Sequence, residues 1–280
     1  MIVQHISAFT DGPRGGNPAG VVISETLPDA GAMQAIAAKV GYSETAFVAR
    51  EAEGWRVRYF APEVEVDFCG HATIAVGAAL AKREGSGTFA LQLNRADITV
   101  DGHQSAERWG ASFQSPRTHS REVSAADIDE ALALFGLARS DLDGRIPPAI
   151  AHAGADHLVL ALRERSALSA MRYDLEKGRD LARREGIVTF SLVHAETPQL
   201  FHARNPFPIG GVYEDPATGA AAAALAGYLR KLDWPAQAIA IRQGEDMGIP
   251  CRLQAEIPRQ PGAPVKVSGS VRSIDDAVRG

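Results

Sequence analysis

Apolar and polar residues alternate at the start of the chain, Ile2-Val3-Gln4-His5-Ile6-Ser7-Ala8-Phe9, which predicts a first strand. A loop dense in glycine and proline runs from Thr10 to Gly20, and a short apolar strand, Val21-Val22-Ile23, follows it. Apolar positions then recur at helical spacing from Asp29 to Val40, after which Gly41-Tyr42-Ser43-Glu44-Thr45-Ala46-Phe47-Val48 turns back into a strand. Strands are predicted at 55–60, 88–93, 98–101 and 108–113, around a helix from Gly70 to Arg83. The segment 115–122 is polar and unpatterned, and it marks a boundary between two lobes. Beyond it, Ser124 caps a helix that runs to Phe135. Strands at 149–153 and 157–162, a helix at 175–184, and strands at 187–193 and 199–203 lead to a helix over 217–231. Strands at 238–242, 251–257 and 265–271 complete the pattern.

Two stretches stand apart because small and apolar residues continue around the whole helix rather than along one stripe. The first is Asp67-Phe68-Cys69-Gly70-His71-Ala72-Thr73-Ile74-Ala75-Val76-Gly77-Ala78-Ala79-Leu80. The second, half a chain later, begins Glu214-Asp215-Pro216-Ala217-Thr218-Gly219-Ala220 and continues through a run of alanines to Leu229. Such helices are packed on all sides. Their approaches match as well, Arg58-Tyr59-Phe60-Ala61-Pro62 before the first and Arg204-Asn205-Pro206-Phe207-Pro208 before the second. The chain therefore reads as a weak internal duplication of two lobes, each with a central helix whose first N–H groups are available to an anionic group. Close packing of alanine-rich helices is the alternative explanation.

The 280 residues correspond to roughly two domains. A hydrophobic content of 45% is ample for a core in each. A net charge of -5 with no run of Lys or Arg excludes an electrostatic case for nucleic acid or an anionic membrane. Neither apolar helix reaches the roughly 18–20 residues that span a bilayer. The first strand begins directly after Met1, leaving no room for an export signal, so the expected location is cytoplasmic. Cys69 and Cys251 are too few for a disulfide framework and are expected as thiols.

Phosphate-loop, dinucleotide-binding and nucleophile-elbow motifs are absent, and the eight histidines include no i, i+4 pair. None of the five lysines falls in the stretches above, which argues against a Schiff base. Neither metal nor cofactor is expected. What remains is a set of acid–base groups, Glu44, Cys69, His71 and Asp215. Glu44 lies among small and apolar residues, where desolvation favours a neutral carboxyl, although an exposed turn glutamate is the ordinary alternative. A buried Cys is usually an inert packing group, and a His or Asp before a helix is usually a cap. Three of the four sit at the starts of the paired helices, and together they suit proton transfer.

These residues carry a family resemblance. Asn17-Pro18 after the Gly-rich loop, Ser43-Glu44-Thr45-Ala46-Phe47, Phe60-Ala61-Pro62, Asp67-Phe68-Cys69-Gly70-His71-Ala72-Thr73, Glu214-Asp215-Pro216-Ala217-Thr218-Gly219 and Gln243-Gly244-Glu245-Asp246-Met247-Gly248 together resemble the PhzF family of phenazine-biosynthesis-like isomerases, which share the diaminopimelate epimerase-like fold.

The resemblance implies an α+β fold of two similar lobes, each a curved, mostly antiparallel sheet around a central helix, with the active site in the cleft between them. It places the N-terminal lobe at 1–117, completed by about 265–280, and the C-terminal lobe at 118–264. It implies a homodimer and a cofactor-independent, biosynthetic isomerase acting on a small, cyclic carboxylate or amino acid. Glu44 would be the acid and base, His71 and Asp215 would assist, and Asn17, Gly70, Thr218, Gly219 and Ala220 would bind substrate. Cys69 would pack. Ala220 departs from the serine common in the family, which removes one hydroxyl donor. Ile249 and Cys251 also stand where Arg and Ser are common. The competing readings are an amino-acid epimerase or racemase on the same fold, with Cys69 as one base, and a non-catalytic binding protein.

Overall fold

The computed structural model describes residues 1–51, 53–105 and 108–274. The chain divides into two units, one made of residues 1–114 and the chain from Ser268 onward, the other of Ser115–Val267. Residues 275–280, part of the segment expected to complete the first lobe, lie outside the described residues.

In the first unit, β1 (Gln4–Ala8) and β2 (Asn17–Ser24) form an antiparallel pair. The glycine-rich loop is thus shorter than the sequence suggests: Asn17–Gly20 already lie in register opposite β1. Helix α1 (Ala30–Val40) is capped by the Asp29 carboxylate on the N–H of Ala32 and ends at Gly41, whose φ of 72° closes the left-handed turn. That turn delivers β3 (Glu44–Glu51) parallel to β2 and antiparallel to β4 (Gly54–Phe60). A two-residue β5 (Glu65–Val66) pairs back onto β4 before α2 (Gly70–Glu84). Three more strands, β6 (Gly87–Gln92), β7 (Asp97–Ser105) and β8 (Arg108–Gln114), follow as an antiparallel meander.

The second unit opens with β9 (His119–Glu122), where sequence patterning predicts no strand because none of its residues is buried. Helix α3 (Ala125–Leu134) begins at Ser124, whose hydroxyl caps Asp127 N–H. Strands β10 (Ala149–His152) and β11 (Asp156–Ala161) precede the short α4 (Arg165–Ser169) and α5 (Leu175–Glu185). Then come β12 (Thr189–Thr197), β13 (Leu200–Phe207), β14 (Val212–Asp215) and α6 (Gly219–Lys231). The unit ends with β15 (Ala238–Gln243) and β16 (Cys251–Glu256), and β17 (Lys266–Ser273) carries the chain back to the first unit.

Strand pairing makes the two units copies of one plan. In the first, β1 joins β2, β2 runs parallel to β3, β3 is antiparallel to β4, and β4 runs parallel to β6. In the second, β10, β11, β12, β13 and β15 repeat those pairings in the same order and directions. The small strands β5 and β14 return onto β4 and β13 in the same way. Strand β17 pairs with β1 and with β8, which closes the strands of the first unit into a ring.

The ring explains the composition of α2. Every residue from His71 to Ala81 is buried, because the helix touches β1, β2, β3, β6, β7 and β8. At its closest approach to the sheet only glycine fits: a Cβ on Gly102 would lie 2.2 Å from Gly77 O, and one on Gly77 would lie 2.5 Å from Val100. Adding either methyl overpacks the helix against the sheet, at a cost of about 1–3 kcal/mol. Helix α6 has the same role in the second unit and touches both ends of its strand row, β9 and β16, so that sheet curves around it. The outer faces bury separate cores, Met33 and Ala37 of α1 on Val22, Phe47 and Phe60, and Phe135, Leu168 and Leu181 on Ile150, Leu158, Phe190 and Leu192.

Candidate active site

Alternation along β3 decides where Glu44 points. Phe47 faces α1, so Ala46 and Glu44, two positions apart, face the other way. Ala46 is paired with Tyr59, whose hydroxyl lies 2.8 Å from Thr73 Oγ1 on α2, so this face looks at the central helix. There Glu44 meets His71, in the first turn of α2, with Oε2 3.4 Å from Nε2 and side chains only 16% and 6% exposed. That approach is within ion-pair distance but lacks hydrogen-bond geometry: Oε2 is buried and has no hydrogen-bond partner. It is a buried acceptor without a donor, which costs stability in a resting protein and marks a position set for a ligand.

The surroundings of His71 select its tautomer. Nδ1 faces the Asn17 amide nitrogen at 3.3 Å and Cys69 Sγ at 3.3 Å, both of which can donate. Nε2 faces Ser43 Oγ at 3.4 Å and Glu44 Oε2, both of which can accept. The arrangement fits a ring proton on Nε2, shared with Ser43 Oγ, beside the unpartnered Glu44 Oε2. Thr73 Oγ1 donates 2.7 Å to Cys69 O, and Tyr59 holds Thr73 from the other side, which fixes the turn that carries Cys69, Gly70 and His71. Burial raises the Tyr59 phenol well above its ordinary range, so it remains a neutral hydrogen-bonding group. Cys69 is 9% exposed, and no side chain caps α2, which leaves the orphan N–H groups at Gly70 available to an anion.

In the second unit, Asp215 ends β14 and Thr218 occupies the N-cap of α6, whose first residue, Gly219, lies two positions after the predicted start at Ala217. Thr218 Oγ1 donates 2.6 Å to Asp215 Oδ2. Thr218 N–H donates 3.1 Å to Gln243 Oε1, and Gln243 Nε2 donates 2.7 Å to Asp215 O. Gln243 therefore clamps both ends of the Asp-Pro-Ala-Thr turn while itself only 1% exposed. Gly219 and Ala220 follow as the first residues of α6, with Ala220 half-buried. The backbone needs glycine just after the clamp: a Cβ on Gly244, at φ 74°, would lie 2.2 Å from Ile249 O.

The structure thus gathers Glu44, His71, Asn17, Gly70 and Cys69 in the first unit, and Asp215, Thr218, Gly219 and Ala220 in the second. Sequence reasoning assigned no role to Ser43, Tyr59 or Gln243. For Gln243 the signal was the Gln-Gly-Glu-Asp-Met-Gly segment at a strand end, where an uncharged amide beside a glycine suggests a turn contact. Glu44, Cys69 and His71 could also hold a divalent ion, since one donor atom of each lies within 4.8 Å of the others.

The family profile described as phenazine biosynthesis-like protein (PhzC-PhzF) matches residues 6–274. An uncharacterized isomerase of Pseudomonas aeruginosa is 35% identical, with 96% of this chain and 97% of that protein covered. An uncharacterized isomerase of Deinococcus radiodurans is 33% identical over 90% of this chain and 85% of its own. In fold, the chain resembles the PhzF-family protein of Bacillus anthracis, with a TM-score of 0.85 at 21% identity over 97% of this chain and 96% of that one. A hydroxyproline epimerase from Agrobacterium vitis has the same overall fold, with a TM-score of 0.62 at 9% identity over 97% and 90% of the two chains.

Proposed function

We infer the reaction from one premise: the chain belongs to the phenazine biosynthesis-like (PhzC-PhzF) family and is an isomerase. It shifts a proton within a small, cyclic carboxylate or amino acid, without a cofactor, and Glu44 both removes and returns that proton. The observation that carries this reading is the buried Glu44 Oε2, which has no hydrogen-bond donor and lies 3.4 Å from His71 Nε2.

A shift along one face of an allylic system needs one carboxyl that can reach both carbons. Glu44 Oε2 takes the proton from the first carbon. His71, held by Asn17 and with Nε2 3.4 Å from Glu44 Oε2, is placed to stabilise the charge that develops as the double bond moves. Glu44 then protonates the second carbon, so no net proton is consumed. In the first unit the uncapped start of α2 at Gly70 supplies N–H groups suited to a substrate carboxylate. In the second, the Thr218-Gly219-Ala220 start of α6 offers N–H groups of the same kind, and Asp215 a carboxylate suited to a polar substituent. The same resemblance extends the reading to a homodimer working in the cytoplasm in a biosynthetic step. Among the described residues no helix is long and apolar enough to cross a membrane.

A second reading, amino-acid epimerisation, rests on Cys69 Sγ, which lies 3.3 Å from His71 Nδ1 immediately before α2. Turnover of unsaturated cyclic amino acids in deuterated water separates the two. The isomerase reading expects at most one solvent deuteron per turnover, at a carbon that does not invert. Deuterium at an inverting stereocentre, with turnover lost in Cys69→Ser and kept in Glu44→Gln, establishes the epimerase instead.

A further inference from the structure

We propose that His119, His152 and Asp156 form a binding site for a divalent transition-metal ion of the zinc class. The proposal is independent of the isomerase reading and concerns the second unit alone. His119 on β9 lies directly opposite His152 on β10, and His152 lies directly opposite Asp156 at the start of β11. Residues opposed in antiparallel strands share a face, with Cβ atoms about 4.5–5.5 Å apart, so the three side chains form one row across three strands. The imidazoles of His119 and His152 stack with centroids 4.3 Å apart and planes at 28°. Asp156 Oδ1 lies 2.5 Å from His152 Nδ1. One donor atom from each residue falls within 4.8 Å of the other two. Around a tetrahedral ion with bonds of about 2.0–2.1 Å the donors sit roughly 3.3 Å apart, so binding requires these side chains to rotate from their present contacts.

A His–Asp ion pair accounts for only one of these contacts. It leaves out the second imidazole, which stacks on the first. Two imidazoles and one carboxylate are a donor set that suits zinc, with water at the remaining position. The set is reachable, since His119 is exposed and the other two are half-buried.

The location also gives the ion a task. Strand β9 is the first element of the second unit, it pairs with β10, and it has no buried residue of its own to hold it. An ion bound by this row cross-links β9 to β10 and β11 and stabilises the folded unit by mass action. Its neighbour His157 takes no part: it pairs with Ala151, one position along, and so faces the opposite side of the sheet.

The test uses the untagged full chain, stripped with a chelator and titrated with Zn2+ by calorimetry and with Co2+ by its visible ligand-field absorption. Binding should be lost in His119→Ala and in His152→Ala and retained in Glu44→Gln. Zinc should raise the melting temperature of the unaltered chain and of Glu44→Gln, and leave that of His152→Ala unchanged. If a histidine variant fails to fold, Asp156→Asn and anomalous diffraction at the zinc edge decide the question. The proposal is overturned if the unaltered chain binds neither ion. It is equally overturned if the histidine variants bind as before, or if the anomalous peak lies only at Glu44, Cys69 and His71.

Discussion

Arg204 on β13 holds Glu214 on β14 in a buried, two-pronged ion pair, with Nε 3.0 Å from Oε1 and Nη2 2.5 Å from Oε2, and the residue after Glu214 is Asp215. The same guanidinium donates to the carbonyls of Ser169 and Met171, so its charge is satisfied on every side. Arg58 and Glu65 form the equivalent pair in the first unit, on β4 and β5, at Nε–Oε1 2.7 Å. The duplicated plan thus repeats a specific side-chain device, and in the second unit that device fixes the strand carrying a proposed site residue.

Removing one partner separates the two copies. Arg204→Met leaves a carboxylate at 2% exposure without its counter-charge and should cost about 3–5 kcal/mol in urea unfolding. Arg58→Met acts on a pair that is 22% and 26% exposed and should cost about 1 kcal/mol or less. Equal losses would show that burial does not set the value of the pair.

Glu44→Gln keeps the size and polarity of the side chain and removes its capacity to take a proton. Turnover should fall by at least ~10²-fold while substrate affinity, measured by calorimetry, changes little. Cys69→Ser should keep most of the activity. Asp215→Ala should weaken binding and rate together.

Gln243→Ala should lower kcat/KM, because it removes the amide that bonds both Thr218 N–H and Asp215 O. The stability cost expected for such buried groups is about 1–3 kcal/mol. Gln243→Glu presents an acceptor to Thr218 but no donor to Asp215 O, and should recover only part of the rate.

Ala220→Ser adds a hydroxyl at the first turn of α6, where Ala220 is half-buried, while leaving its N–H in place. The variant should fold with unchanged stability and bind carboxylate substrates as tightly or more tightly. A tenfold loss of affinity, by calorimetry, would show that the small side chain itself shapes the site.

His157 provides a pH test of stability. Burial pushes its imidazole down from 6.5 to about 4, with the nearby Asp156 raising it in part. The folded state therefore excludes a proton that the unfolded chain accepts, so its contribution is intact above pH 6.5 and is lost as pH falls towards 4. The full difference is about 3 kcal/mol. His157→Asn, which can still bond Thr189 Oγ1, should flatten the stability curve over this range. An unchanged slope in chemical denaturation between those pH values would remove His157 from the account.

Much of this molecule was legible from residues alone, and the reason is local. Periodicity located the five longer helices and missed the five-residue α4, Ser124 marked one helix start, and two runs of small residues identified the central helices, because a helix enclosed by strands packs closely on every face. The matching Arg58 and Arg204 segments exposed the duplication, since equivalent strands repeat equivalent side chains. Strand β9 was not legible: its four residues are polar and its only reason to be extended is the neighbour β10, which lies far along the chain. The glycine-rich loop hid the start of β2 for the same reason, as pairing with β1 overrides the local turn signal. Above all, the sequence listed Glu44, His71 and Asn17 as separate candidates. Tertiary structure alone decided that one imidazole stands between the other two, because that contact depends on the register of β2 with β3 and on the rotation of α2 inside the ring, neither of which any local pattern encodes.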